Sequence, residues 1–109
     1  MYEYRATVID VHDGDTCQLD VDLGLHVHCH AHVRLAHVDA PELHHADGTR
    51  ARELLAELLA DGPLVVNTLR DRTEKYGRWL ATITTASGHD VGELLVAEGL
   101  AHRYEGGRR

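Results

Sequence analysis

The sequence predicts a mainly β fold, a small five-stranded barrel carrying two helices. Three observations point there. Apolar and polar residues alternate through the first third of the chain, the period then lengthens to that of a helix around residues 51–59, and two short β-rich runs follow before a second helical segment.

Taken in order, Tyr4 to His12 is rich in β-formers and ends at the turn pair Asp13-Gly14. Thr16 to Leu23 alternates, with Cys17, Leu19, Val21 and Leu23 on one face and Gln18, Asp20 and Asp22 on the other. Gly24 turns the chain, and Leu25 to Leu35 alternates again, with Val27, Cys29, Ala31, Val33 and Leu35 facing one way. Two alternating runs about one glycine predict a long hairpin with a single buried face. Both cysteines fall on that face and read as small apolar fillers. Ala51, Leu54, Leu55, Leu58 and Leu59 then follow the spacing of one helix face, and Asp61-Gly62-Pro63 stops it. Leu64 to Leu69 and Trp79 to Thr85 predict two more strands, joined by a charged loop over 70–78. Asp90 with Glu93 resembles a capping box that opens a short helix running to Glu98 and closed by Gly99, and the polar tail 105–109 reads as a frayed end. Strands that meander around one core with an inserted helix suit a barrel of the OB type, and 1–109 reads as one domain.

Composition narrows the function classes. No apolar run approaches the length of a membrane span, and Met1 to Asp10 carries charges where a secretory leader needs an apolar stretch, so a cytoplasmic protein is expected. The net charge of −7 repels phosphate at long range, so any nucleic-acid role must rest on a local site. Of the eleven basic residues, Lys75 is the one lysine, and arginine suits planar, bidentate phosphate contacts. Ten histidines make the surface potential strongly pH-dependent. Two cysteines without a C-x-x-C are too few for a disulfide scaffold or a zinc site of their own.

Charged residues gather where strands end, which is where a rigid barrel can hold a site. Asp13-Gly14-Asp15-Thr16 forms the first turn, Arg34 closes the third strand shortly before Asp39-Ala40-Pro41-Glu42, and Lys75-Tyr76-Gly77-Arg78 opens the fifth. Two carboxylates from different strands, Asp15 and Asp39, could hold a hard divalent cation through oxygen. Arg34 and Arg78 could grip one phosphate by charge-assisted bonds, and Glu42 could orient or deprotonate water. Each of these types has a use in phosphodiester cleavage.

Asp13-Gly14-Asp15-Thr16, Arg34-Leu35, Asp39-Ala40-Pro41-Glu42, Tyr76-Gly77-Arg78 and Gly99-Leu100-Ala101 resemble the staphylococcal nuclease-like (thermonuclease) family, in its order, from about Val8 to Tyr104. The resemblance implies an OB-type barrel that binds Ca²⁺ and hydrolyses single-stranded or flexible DNA or RNA as an endonuclease, leaving 3′-phosphate ends. It places the calcium ligands on Asp15, Asp39 and the main-chain carbonyl of Ala40, with Asp13 as a carboxylate behind them. Glu42 falls on the residue that acts on water, and Arg34 and Arg78 on the two phosphate-binding arginines. Lys75 and Tyr76 match nucleotide-contacting residues, and Tyr104 matches a tyrosine lying against the base. The loop from Glu42 to the first helix departs from the family by being short and free of lysine.

Each piece has a plainer reading. Asp13-Gly14 alone is commonly a turn, Asp39 to Glu42 could be a helix N-terminus, and Arg34 could be a solvated edge charge. Their joint occurrence in order favours catalysis. His26, His28, His30 and His32 share a strand face and could bind a metal, but an exposed polar face opposite the core is the expected reading. His44 and His45 read as ordinary loop, and Trp79 as core. The leading expectation is therefore an active nuclease, monomeric and free of the membrane. The alternatives are a catalytically inactive OB-fold module that binds nucleic acid or protein, and a histidine-rich metal binder.

Overall fold

The structure is a computed structural model that describes residues 2–42, 45–69, 73 and 75–103. Among the described residues nine elements follow one another: β1 (Tyr2–Asp13), β2 (Thr16–Gly24), β3 (Val27–Leu35), β4 (Val38–Asp39), α1 (Gly48–Leu59), β5 (Leu64–Thr68), β6 (Trp79–Thr84), α2 (Val91–Ala97) and β7 (His102–Arg103). Five strands close a barrel in the order β1-β2-β3-β6-β5, while β4 and β7 form a separate two-stranded sheet. The barrel closes where β3 and β6 pair in parallel, Val33 opposite Trp79 through Leu35 opposite Ala81. The five-stranded, mainly β barrel with two helices expected from the alternation is thus present.

Each helix buries the stripe that its spacing dictates. Ala51, Leu55 and Leu59 of α1 are buried, one turn apart, and join Leu19, Val33, Leu35, Leu64, Val66 and Ile83 from the strands. Val91 and Leu95 of α2 complete the core from the other side. Asp90 caps α2 by accepting a hydrogen bond from the Glu93 amide at 3.0 Å, as the Asp-x-x-Glu spacing predicts. The Glu93 carboxylate, however, forms a two-point pair with Arg103 at 2.6 and 2.7 Å and so ties α2 to β7.

The hairpin is where the structure departs from expectation. Cys17, Leu19 and Val21 are buried, but Leu23, Val27 and Cys29 on the same face are exposed. Their alternation is intact; the core is what runs out. The pairing of β1 with β2 begins at Arg5 opposite Asp22, and β3 meets β6 only from Val33 onward, so the ribbon beyond runs past the barrel. Cys29 is therefore an exposed thiol and not a core filler. The turn also lies further along than Gly24 alone predicts, with Leu25 and His26 both left-handed at φ 56° and 64°. His28, His30 and His32 sit on the exposed outer face, as expected, but His26 falls in the turn before β3 and not on that strand face. Trp79 is half-buried and packs against the core.

The first turn is pressed tightly into the fold. A Cβ built on Gly14 would lie 2.6 Å from the Ala51 Cβ and 2.7 Å from the Ala40 Cβ, and neither methyl can rotate away. This contact locks the β1–β2 turn to α1 and to the segment after β4. Gly14→Ala should destabilise the protein by about 1–3 kcal/mol, as overpacking does. Chemical denaturation would check it, and a variant as stable as the parent would show that the turn can lift off α1 at little cost.

Candidate active site

The tight turn carries the most constrained side chain of the site. Asp13 accepts a hydrogen bond from the Asp15 amide at 3.1 Å, which fixes the turn. The Asp15 carboxylate points inward and is only 6% exposed. One of its oxygens accepts from the Thr16 hydroxyl at 3.0 Å, the other from the Ala40 amide at 2.9 Å. A residue of the first turn thereby holds a residue twenty-five positions later in the sequence. Burial, then the hydrogen bond with Asp13, pushes the Asp15 carboxyl above its ordinary value, against the opposing pull of the Ala40 N–H and the Arg34 guanidinium.

Arg34 extends from the end of β3 into this space and is largely buried. Its Nη1 donates to the carbonyls of Leu35 at 2.6 Å and Val38 at 2.7 Å, which fixes the plane of the guanidinium. Its Nη2 then lies 3.1 Å from Asp39 Oδ1 and 3.5 Å from Asp15 Oδ2. Asp39 is delivered by β4, whose pairing with β7 sets it opposite His102. Arg78 enters from the loop before β6, donating from Nη1 to the Thr16 hydroxyl at 3.3 Å. The Tyr76 ring is 70% exposed, with Arg78 Cζ 5.3 Å and Lys75 Nζ 5.0 Å from its centroid. Glu42 is exposed and lines, with Asp39, Ala40, His45 and His102, an open cleft of about 670 Å³.

The fold thus gathers Asp13, Asp15, Arg34, Asp39, Ala40 and Arg78 at one end of the barrel, with Glu42 on the adjoining cleft and Lys75 and Tyr76 beside Arg78. Tyr104 and His44 lie outside the described residues. Sequence reasoning missed His102, because a two-residue strand carries no periodicity. The adjacent Gly99-Leu100-Ala101 is the one local signal that points near it. Cys17 adjoins the turn, but burial, then the charge of Asp13, pushes its thiol up to about 12, so it has no nucleophilic part here.

The donor set fits a hard cation. Asp15 and Asp39 offer carboxylate oxygen, Ala40 a main-chain carbonyl, and the buried Asp15 charge is answered by one guanidinium shared between two carboxylates. Among the described residues no three His, Cys, Asp or Glu side chains are arranged to hold a metal ion. A cation held here would take two side chains and fill its shell with main-chain and water oxygen, as hard cations commonly do. The histidine stripe likewise supplies no such set among the described residues: Asp20 lies 3.2 Å from His28 and 3.9 Å from His30, but the three are not arranged to hold a metal ion.

Known proteins resemble this chain over most of its length. The family model described as "Staphylococcal nuclease homologue" matches residues 32–109. The chain is 32% identical to Protein ParB of Escherichia coli over 94% of its own length and 58% of that protein. It is 32% identical to the Micrococcal nuclease of Shigella flexneri, covering 94% of this chain and 59% of the relative. Endonuclease YhcR of Bacillus subtilis (strain 168) is 33% identical across 94% of this chain, which spans 9% of that larger protein. The chain therefore spans a little under three fifths of the first two relatives. With the barrel, the ordered site residues and a family match over most of its length, this chain belongs to the staphylococcal nuclease homologue family.

Proposed function

We propose that this chain is an endonuclease that hydrolyses phosphodiester bonds in single-stranded or flexible DNA or RNA, with Ca²⁺ as cofactor and 3′-phosphate ends as product. The observation that carries the reading is the Arg34 guanidinium set between Asp15 and Asp39, with Arg78 on Thr16 beside it. The nuclease names of the relatives support it.

Bound Ca²⁺ would supply Lewis-acid polarisation of the phosphoryl oxygens. Asp15, Asp39 and the Ala40 carbonyl are the residues that would hold it. Arg34 keeps Nη1 on two carbonyls, so its guanidinium holds its orientation while Nη2 exchanges Asp39 Oδ1 for a phosphate oxygen. Arg78 approaches from the Thr16 side, and together the two cations offset the charge that builds as the water oxygen bonds to phosphorus. Glu42 accepts the proton from that water while the bond from phosphorus to the 5′-oxygen breaks and the leaving oxygen is protonated from solvent. Lys75 and Tyr76 hold the neighbouring nucleotide. The acidic balance of the chain, −7, favours one competing reading, a barrel that binds a partner without cutting.

Labelled single-stranded DNA and RNA should be cut with Ca²⁺ and spared with excess chelator or by Asp39→Ala. Folded protein that cuts neither substrate at any pH or salt concentration would favour the binding module. Glu42→Gln should lower kcat by about 10²–10⁴-fold with little loss of fold, since it removes a general base from an exposed position. An unchanged rate takes Glu42 out of the mechanism. Asp15 gives a third test. Its carboxyl is held above the ordinary value, so the folded chain keeps this proton to higher pH than the unfolded chain does. Stability from this group therefore falls as pH rises from the unfolded value through the folded one and stays lower above it. Asp15→Asn should accordingly raise the Tm of the metal-free protein at neutral pH and abolish the rise that Ca²⁺ gives the parent. A lower metal-free Tm would mean that pairing with Arg34 outweighs burial.

A further inference from the structure

A second concavity lies on the outer face of β1, β2 and β3. A pocket of about 520 Å³ opens beside Arg78, lined by Asp10, His12, Gln18, His32 and Tyr76 and reaching Thr16. Ligand sites commonly span roughly 300–1,000 Å³, so a nucleotide fragment fits. Arg78 and Thr16 belong both to this pocket and to the carboxylate site, which makes the two continuous.

The strands build the pocket deliberately. Asp10 pairs with Gln18 and Gln18 with His32, so the three stand side by side in one row across the sheet. The β1 register slips once between Val8 and Asp10 and again between Val11 and Asp13. Such bulges bend a strand and re-aim its side chains, commonly beside a site. Val11 faces the core, and its neighbours Asp10 and His12 are exposed. The Tyr76 ring, with Arg78 and Lys75 over it, lines the same pocket and adds apolar surface to it.

Charge decides which part of a nucleotide enters. A carboxylate in the lining repels phosphate, so Asp10 disfavours the phosphate and leaves the base. Arg78 at the shared edge keeps the phosphate. Gln18 and His32 can each donate or accept and so tolerate every base, but an ionised carboxylate only accepts. It therefore selects bases that present an amino group, as acidic side chains do with the N4 amine of cytosine.

We propose that this pocket receives the base flanking the scissile phosphate, and that Asp10 makes it prefer cytosine to thymine or uracil. The inference rests on the nuclease reading and adds a specificity to it. The test uses single-stranded oligonucleotides with one cleavable linkage, the others blocked as phosphorothioates, that differ only in the base beside it. The parent protein should show a kcat/KM about tenfold higher for cytosine than for thymine or uracil at one flanking position. Asp10→Asn, which keeps shape but adds a donor, should bring that ratio close to one. Asp10→Ser serves as a second variant if the first folds poorly, and Gln18→Ala should lower kcat/KM on both substrates. Cleavage by the parent with no base preference, or a preference that survives in both Asp10 variants, overturns the pocket alone. A parent that cuts no linkage overturns the nuclease reading and the pocket with it.

Discussion

The burial of one carboxylate is the constraint on which the rest of the site depends. Asp15 is withdrawn from water by a turn that glycine alone lets sit against Ala51 and Ala40. Once there, it must be satisfied, and its partners are the Thr16 hydroxyl, the Ala40 amide and Arg34. Those bonds draw the segment after β4 to the first turn, and that segment carries Asp39. The helix supports the arrangement from behind through Ala51. A site assembled from three separated stretches of chain is thus held by one buried charge and one close packing contact.

The electrostatics separate what the whole molecule does from what the site does. A net charge of −7 discourages phosphate at a distance. At contact range the oriented groups dominate, because Arg34 is largely buried and its direction is set by two carbonyls. The surface pair of Glu93 with Arg103 is strong in geometry but exposed, and it lowers the Glu93 carboxyl mainly through the hydrogen bonds from Arg103. Its role is to tether α2 to β7, the strand opposite Asp39, more than to add stability.

Much of this was legible in the sequence, and the rest was not for identifiable reasons. Leu19, Val33, Leu55 and Leu59 are buried as their periods require, and Asp90 caps α2 as Asp-x-x-Glu predicts. The gathering of Asp13, Asp15, Arg34 and Asp39 follows from their places at strand ends. Periodicity reports which face a residue lies on, not how far the core extends beneath it, so Cys29 and Val27 kept their pattern and lost their burial. β4 and β7 are two residues each and are defined by partners 63 and 65 residues apart, which local pattern cannot show. The register slips in β1 that set Asp10 and His12 on the outer face likewise come from pairing and leave no mark in composition.

The ribbon that overshoots the barrel has a practical consequence. Its tip holds Leu25 at 96% exposure, in a backbone region that costs a non-glycine residue strain, and the core gains no packing from it. The turn that carries Asp13 and Asp15 lies at the opposite end of the same strands. Exposed loop tips of this kind accept insertions best. Residues 24–27 are therefore a splice point, where a fluorophore, a surface anchor or a targeting module can be attached while the end that holds Asp15, Arg34 and Asp39 stays uncovered.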